Sequence, residues 1–151
     1  MTTNKNTNTD TNQRITANGK TQEKVLHPKL SYEIVGACYD VHNELGRFAR
    51  EKQYGDLLNG RFDERGLNYK REFALGDSGN IVDFLVEDKV LLELKTVRFL
   101  MRSHFRQLQN YLQRACLDLG LLINFSDEVL QPKRIIRIDV DSKKFVDSKH
   151  S

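Results

Sequence analysis

Asp83, Glu93 and Lys95 are the residues whose types and spacing could do chemistry. Nine residues separate Asp83 from Glu93-Leu94-Lys95, and Ile81 to Lys95 reads as two short apolar strands joined by the polar turn Glu87-Asp88-Lys89. Side chains alternate faces along a strand, so Glu93 and Lys95 point one way while Leu92 and Leu94 point the other. Charged groups set among Val, Leu and Ile are costly to bury unless they are paired or bind a metal. Two carboxylates on adjacent antiparallel strands can meet at one point and offer oxygen ligands to a hard divalent cation. Such a cation lowers the pKa of water and stabilises charge on a phosphate oxygen. A lysine on the same face can position or deprotonate that water and offset charge in the transition state. Together these groups form a minimal kit for phosphodiester hydrolysis. The spacing alone is a weak signal, because in a chain with 30% charged residues a salt-bridge ladder on a surface strand looks the same. The hairpin alternation, the apolar bracketing and the elements that follow raise it.

Those elements are legible from periodicity. Leu30, Ile34, Ala37, Cys38, Val41 and Leu45 draw one apolar stripe, which predicts a first helix from about Lys29, with Ser31 as its N-cap and Gly46 as its end. His42 borders that stripe, and a packed helix histidine is the plain reading. A second helix spans about Ala49 to Arg65, closed by Gly66, with Glu51, Gly55, Leu58 and Phe62 on one face. Glu51 is thus an acid in line with apolar residues, or simply a first-turn glutamate favoured by the helix dipole. Tyr69–Leu75, Ile81–Val86 and Val90–Val97 read as an antiparallel meander, its first turn made by Gly76-Asp77-Ser78-Gly79-Asn80. A third helix covers about Ser103 to Cys116, with Phe105, Leu108, Leu112 and Ala115 apolar and Gln107 and Tyr111 sharing a neighbouring face. Leu119 to Phe125 reads as a strand buried on both faces, and Arg134 to Val140 as a last strand nearer the edge. The fold class is α/β (α+β): a mixed sheet of about five strands flanked by helices, in the order α-α-β-β-β-α-β-β.

Composition sets the limits. At 151 residues the chain reads as one domain, 25–141, between a Thr/Asn-rich disordered tail, 1–24, and a frayed tail, 142–151. No apolar run suffices to span a bilayer and the N-terminus lacks a secretory h-region, so a cytoplasmic protein without a membrane partner is expected. Cys38 and Cys116 read as buried free thiols, and no Cys/His cluster has zinc spacing. The net charge of +3 sits mostly in the tail, where Lys5, Arg14 and Lys20 face Asp10, so charge alone does not mark a nucleic-acid binder. Lys70, Arg71, Arg98, Arg102 and Arg106 are candidate phosphate contacts.

The Asp83…Glu93-Leu94-Lys95 hairpin between helices resembles the core of the PD-(D/E)XK nucleases, although Val82 stands where the name has proline. The run from Val41 to Tyr54 is similar to the signature of the GxxExxY proteins, with Glu51 and Tyr54 kept and Phe48 in place of the naming glycine. Further matches are Gln107 to Leu112, Gly120 to Phe125 and Lys133-Arg134, in order from about residue 30 to 138. The resemblance implies a restriction-endonuclease-like core and a metal-dependent nuclease acting on DNA. It implies Mg²⁺ or Mn²⁺ held by Asp83, Glu93, the Leu94 carbonyl and Glu51, with Lys95 catalytic. Gln107 and Tyr111 resemble the RecB-like element that contacts the substrate strand; some relatives use an upstream histidine for metal, a role that Glu51 rather than His42 fills in this resemblance. The alternative is a nuclease-like fold kept as an inert interaction module, and an oligomer or a protein partner is compatible with either.

Overall fold

The computed structural model describes residues 26–139, so the two tails expected from composition lie outside the described residues. The elements follow the expected order: α1 (Pro28–Leu45), α2 (Glu51–Glu64), β1 (Tyr69–Ala74), β2 (Ile81–Val86), β3 (Val90–Lys95), α3 (Arg102–Ala115), β4 (Leu119–Asn124) and β5 (Lys133–Ile136). They divide into two compact units, one ending at Asn68 and one beginning at Tyr69. Among the described residues no helix is long and apolar enough to cross a membrane.

The first unit is the helix pair. α1 begins earlier than the stripe suggests: His27, at φ 46°, is the N-cap and Pro28 occupies the first turn. Ser31 is therefore not the cap; it is buried and its backbone N–H donates to the His27 carbonyl at 2.9 Å. Proline belongs at that first position because its φ is already helical and it has no N–H to leave unpaired. Ile34, Ala37, Cys38 and Val41 form the buried stripe as expected. Gly46 ends the helix at φ 75°, its N–H donating to the His42 carbonyl at 2.8 Å. Tyr54 staples the next turn: its hydroxyl donates to the Gly46 carbonyl at 2.5 Å and accepts from the Ala49 N–H at 3.2 Å. Phe48 lies in that turn, 89% exposed and without a positive φ, so glycine is not required there.

The second unit is a five-stranded mixed sheet in the order β1-β2-β3-β4-β5. The first three strands form the expected antiparallel meander, β4 pairs parallel to β3 after the crossover through α3, and β5 closes antiparallel at the edge. α3 lays Leu108, Tyr111 and Leu112 on a cluster with Leu85, Leu91 and Leu122. The approach is close at Gly120, where an added Cβ would stand 3.0 Å from Leu108. β4 is buried at every position, as its unbroken apolar run implies.

Two expectations are corrected here. The last strand stops at Ile136 rather than reaching Val140. Two α3 amides take up its backbone instead: Gln109 bonds the Ile136 carbonyl and the Ile138 N–H, and Gln113 bonds the Ile138 carbonyl. Cys116 is exposed, not buried, because it is the C-cap of α3 in a left-handed conformation at φ 56°. Cys38 is buried, and burial pushes its thiol well above the ordinary range.

Candidate active site

Hydrogen-bonded pairing of β2 with β3 runs from Val86–Val90 to Phe84–Leu92 and stops there. The next residues along are Asp83 and Glu93, and their carboxyls take over from the ladder. The Asp83 N–H donates to Glu93 Oε1 at 3.2 Å, and the Leu94 N–H donates to Asp83 Oδ2 at 2.7 Å. Each acid thus caps the backbone of the other's strand while the two strands part. On the other side of Asp83 the pairing with β1 also skips one position: Arg71 faces Phe84, Phe73 faces Val82, and Glu72 between them takes φ 51°. A glutamate in the left-handed region is a strained backbone, of a kind that clusters at functional sites.

Lys95 completes the group. Its ammonium lies 3.5 Å from Glu93 Oε2 and donates to Gln107 Oε1 at 3.0 Å. The alternation expected of β3 therefore holds: Glu93 and Lys95 share the face on which α3 packs, while Leu92 and Leu94 are buried on the other. Glu93 is only 6% exposed. Burial pushes its carboxyl up to about 8, and the neighbouring Asp83 adds to the shift. Asp83 is raised too, mainly by burial, with the Leu94 N–H acting against it. Desolvation thus destabilises both charged forms, and Asp83 further disfavours the charge on Glu93, while Glu93 acts the other way on Asp83. Tyr111, buried on α3, has its hydroxyl raised by burial and then by the fields of Glu93 and Asp83, which puts it beside the acid pair. Four of the seven candidate residues, Asp83, Glu93, Lys95 and Gln107, are linked by these contacts. Leu94 joins through its backbone and Tyr111 through the field of the acids.

The seventh, Glu51, is in the first unit. It opens α2 as its first-turn acid and is exposed, unlike Tyr54, Gly55, Leu58 and Phe62, which are buried. His42, also in the first unit, is half-buried on α1. Among the described residues no group of three or more His, Cys, Asp or Glu side chains is gathered for a metal ion. The acid pair stands in the second unit, with the Leu94 N–H bonded to Asp83.

A cleft of about 590 Å³ opens along α3, lined by Gln107 and Tyr111, which connect it to Lys95 and the acids, together with Asn80, Arg106, Asn110 and Arg114. Its amides and arginines suit a polyanion. Sequence reasoning singled out Arg106 but neither Asn110 nor Arg114 as part of a site. It also missed Asn124, which is 1% exposed at the end of β4. That side chain accepts from the Val97 N–H at 3.1 Å and donates to the Val97 carbonyl at 2.8 Å. It fixes the chain just after Lys95, a positioning role. The signal was present: one amide closing an otherwise apolar strand must find backbone partners.

No curated protein and no solved structure matches the chain. The family model of the PD-(D/E)XK nuclease superfamily matches residues 28–138, from the start of α1 past the end of β5. That match covers most of the chain and includes the strand pair on which the two acids and the lysine meet, so the chain belongs to the PD-(D/E)XK nuclease superfamily.

Proposed function

We propose that the protein is a divalent-metal-dependent nuclease that hydrolyses phosphodiester bonds in DNA. Membership in the superfamily implies nuclease chemistry, a nucleic-acid substrate and a divalent cation in general terms. The observation that carries the finer reading is the parting of β2 and β3 at Asp83 and Glu93, with Lys95 3.5 Å from Glu93. A structural ladder would have continued there; instead two acids and a base are gathered at its open end.

The donor set fits a hard cation. Buried Glu93 and half-buried Asp83 are both raised above their ordinary range, Lys95 stands 3.5 Å from Glu93, and a divalent ion would offset both charges. Asp83, Glu93 and the Leu94 carbonyl would hold it. Glu51 belongs to this ligand set through the family resemblance alone. When bound, Mg²⁺ or Mn²⁺ supplies Lewis acidity and charge stabilisation at the scissile phosphate. Lys95 holds a positive charge over the same face, where it can orient a water and offset the charge that develops on the phosphate. Gln107 fixes the lysine with its carbonyl oxygen, which leaves its amide nitrogen to donate to a phosphate oxygen. Tyr111, with a hydroxyl kept protonated by burial and the acids, is a donor on the same helix.

The test is cleavage of labelled DNA by the purified full chain with Mg²⁺ or Mn²⁺, against Asp83→Ala, Lys95→Ala and Glu51→Gln. Activity lost in the first two variants supports the reading, and equal cleavage by them sinks it. Loss in Glu51→Gln decides its membership of the set. Metal binding is read separately from the melting temperature: a ligand at a hundred times its dissociation constant stabilises by about 2.7 kcal/mol. A shift with Mn²⁺ that vanishes in Asp83→Ala, without cleavage by the unaltered protein, identifies an inert module.

A further inference from the structure

The loop between β3 and α3, residues 96–101, is pinned at both ends and leaves an aromatic ring in solvent. Asn124 grips both backbone groups of Val97. Leu100 packs against the core under α3, and the Met101 N–H donates to His104 Nδ1 at 2.8 Å. Between these anchors Phe99 is 70% exposed, with the Arg98 guanidinium 5.5 Å from its ring centre. A pinned loop holds a large apolar side chain in water only at a cost in free energy, since a backbone fixed this firmly leaves the ring little freedom to turn inward. Phe99 follows Lys95 by four residues, so their Cα atoms are no more than about 14 Å apart.

α3 continues the pattern. Arg102, Arg106, Asn110 and Arg114 recur every fourth residue and are all exposed. Four residues advance about 6 Å along a helix, so the row offers one donor group per such step. Arg106, Asn110 and Arg114 line the cleft that also holds Gln107 and Tyr111. Among the described residues none of Arg98, Arg102, Arg106 and Arg114 forms an ion pair, so their charge is available to an outside anion.

We propose that Phe99 with Arg98 is a base-stacking platform and the α3 row a phosphate track, so that the strand bound here is single-stranded DNA. Rings stack on the exposed face of an unpaired base, a face that a duplex keeps inside its own stack. Cationic side chains beside such a ring are the general arrangement for holding a single strand. The identity of the strand as substrate rests on the nuclease reading; the platform and the track rest on their own geometry.

The experiment measures anisotropy of a fluorescein-labelled oligodeoxythymidylate and of a blunt duplex with the full chain in EDTA, where no cleavage occurs. The single strand binds more tightly than the duplex. Phe99→Ala weakens it about tenfold and leaves duplex binding unchanged, while Phe99→Trp retains it. Replacing Arg106 and Arg114 by Gln lowers the slope of log affinity against log salt by about 1.4. In the unaltered protein, a bromouracil-substituted strand crosslinks to the peptide that carries Phe99. Equal or tighter duplex binding, an unchanged Phe99→Ala, an unchanged salt slope or a crosslink elsewhere overturns the proposal. So does tighter binding of the matching oligoribonucleotide. Selective binding in EDTA with no cleavage in Mn²⁺ sinks the nuclease reading alone, and duplex cleavage without single-strand preference sinks this one alone.

Discussion

Two arginines of the first unit and four of the second are used in opposite ways. In the first unit, Arg61 bonds Glu44 and Glu64, and Arg65 reaches Glu33 at 2.8 Å and Asp40 at 3.0 Å. These cations join α1 to α2 and are spent on doing so. In the second unit, Arg98, Arg102, Arg106 and Arg114 are exposed and make no ion pair among the described residues. The buried Glu93 of that unit has Lys95 at 3.5 Å, and half-buried Asp83 feels Lys95 and then Arg71. One unit has balanced its charges internally, while the other keeps acids in excess inside and bases in excess outside. That imbalance costs stability, and it is what a site for a cation and a polyanion requires.

The largest effect expected is on chemistry. Lys95→Ala lowers the rate of metal-dependent DNA cleavage by about 10²–10⁴, read as initial rates on a labelled strand. The same variant leaves the fold intact by circular dichroism, because it truncates a partly exposed side chain without opening the core, and the acids it faces can take up protons. A variant that unfolds instead would make Lys95 a structural ion-pair partner, and the contrast between the units would fail.

A second effect is a pH dependence of stability without metal. Glu93 binds its proton more tightly when folded, at about 8, than an ordinary carboxyl does. Between those values the native state holds a proton that the unfolded chain has released. The contribution of Glu93 to stability is therefore full below the ordinary carboxyl range and is lost as pH rises toward the folded value. Asp83, raised in the same direction, adds to the slope. Thermal melts in EDTA across that window show a falling melting temperature, and Glu93→Gln flattens it. A melting temperature that rises with pH in this window would mean that the acids are already compensated, as those of the first unit are.

These features were unequally legible in the sequence. The strands and helices could be read because apolar residues recur with the periods of strand and helix, and Glu93 with Lys95 could be put on one face because alternation is strict. The splaying of β2 from β3 could not be read. It depends on each carboxyl meeting the other strand's N–H, and on Glu72 taking a positive φ, neither of which leaves a residue pattern. Ser31 misled because it is a good capping type, while Pro28 held the stronger signal. Cys116 misled because apolar periodicity runs past the point where α3 ends. Asn124 was visible as a polar residue in an apolar run, yet its partner, Val97, lies far away in sequence.

A third, smaller effect concerns the first unit alone. Arg65 spans two acids, and its guanidinium also lies 3.0 Å from where a Cβ on Gly36 would be. Exposed pairs are worth roughly 0–1 kcal/mol each. Arg65→Ala also strips packing of its stem, so it lowers stability by about 1–2 kcal/mol in urea titrations. Cleavage rates below the melting range do not change.

The smallest effect is the sharpest test of the contrast. Arg102→Ala and Arg114→Ala remove the same side chain from helix surfaces where no acid among the described residues partners it. Stability should move by no more than about 0.5 kcal/mol in either direction, as for ordinary surface substitutions. The same titration that reads a loss at Arg65 thus reads none here. Relief of repulsion along the row Arg102, Arg106 and Arg114 would even make a slight gain the expected sign, and added salt would shrink that gain by screening. A loss comparable to that of Arg65→Ala would mean that these arginines hold the second unit together, and that their exposure serves the fold rather than a bound strand.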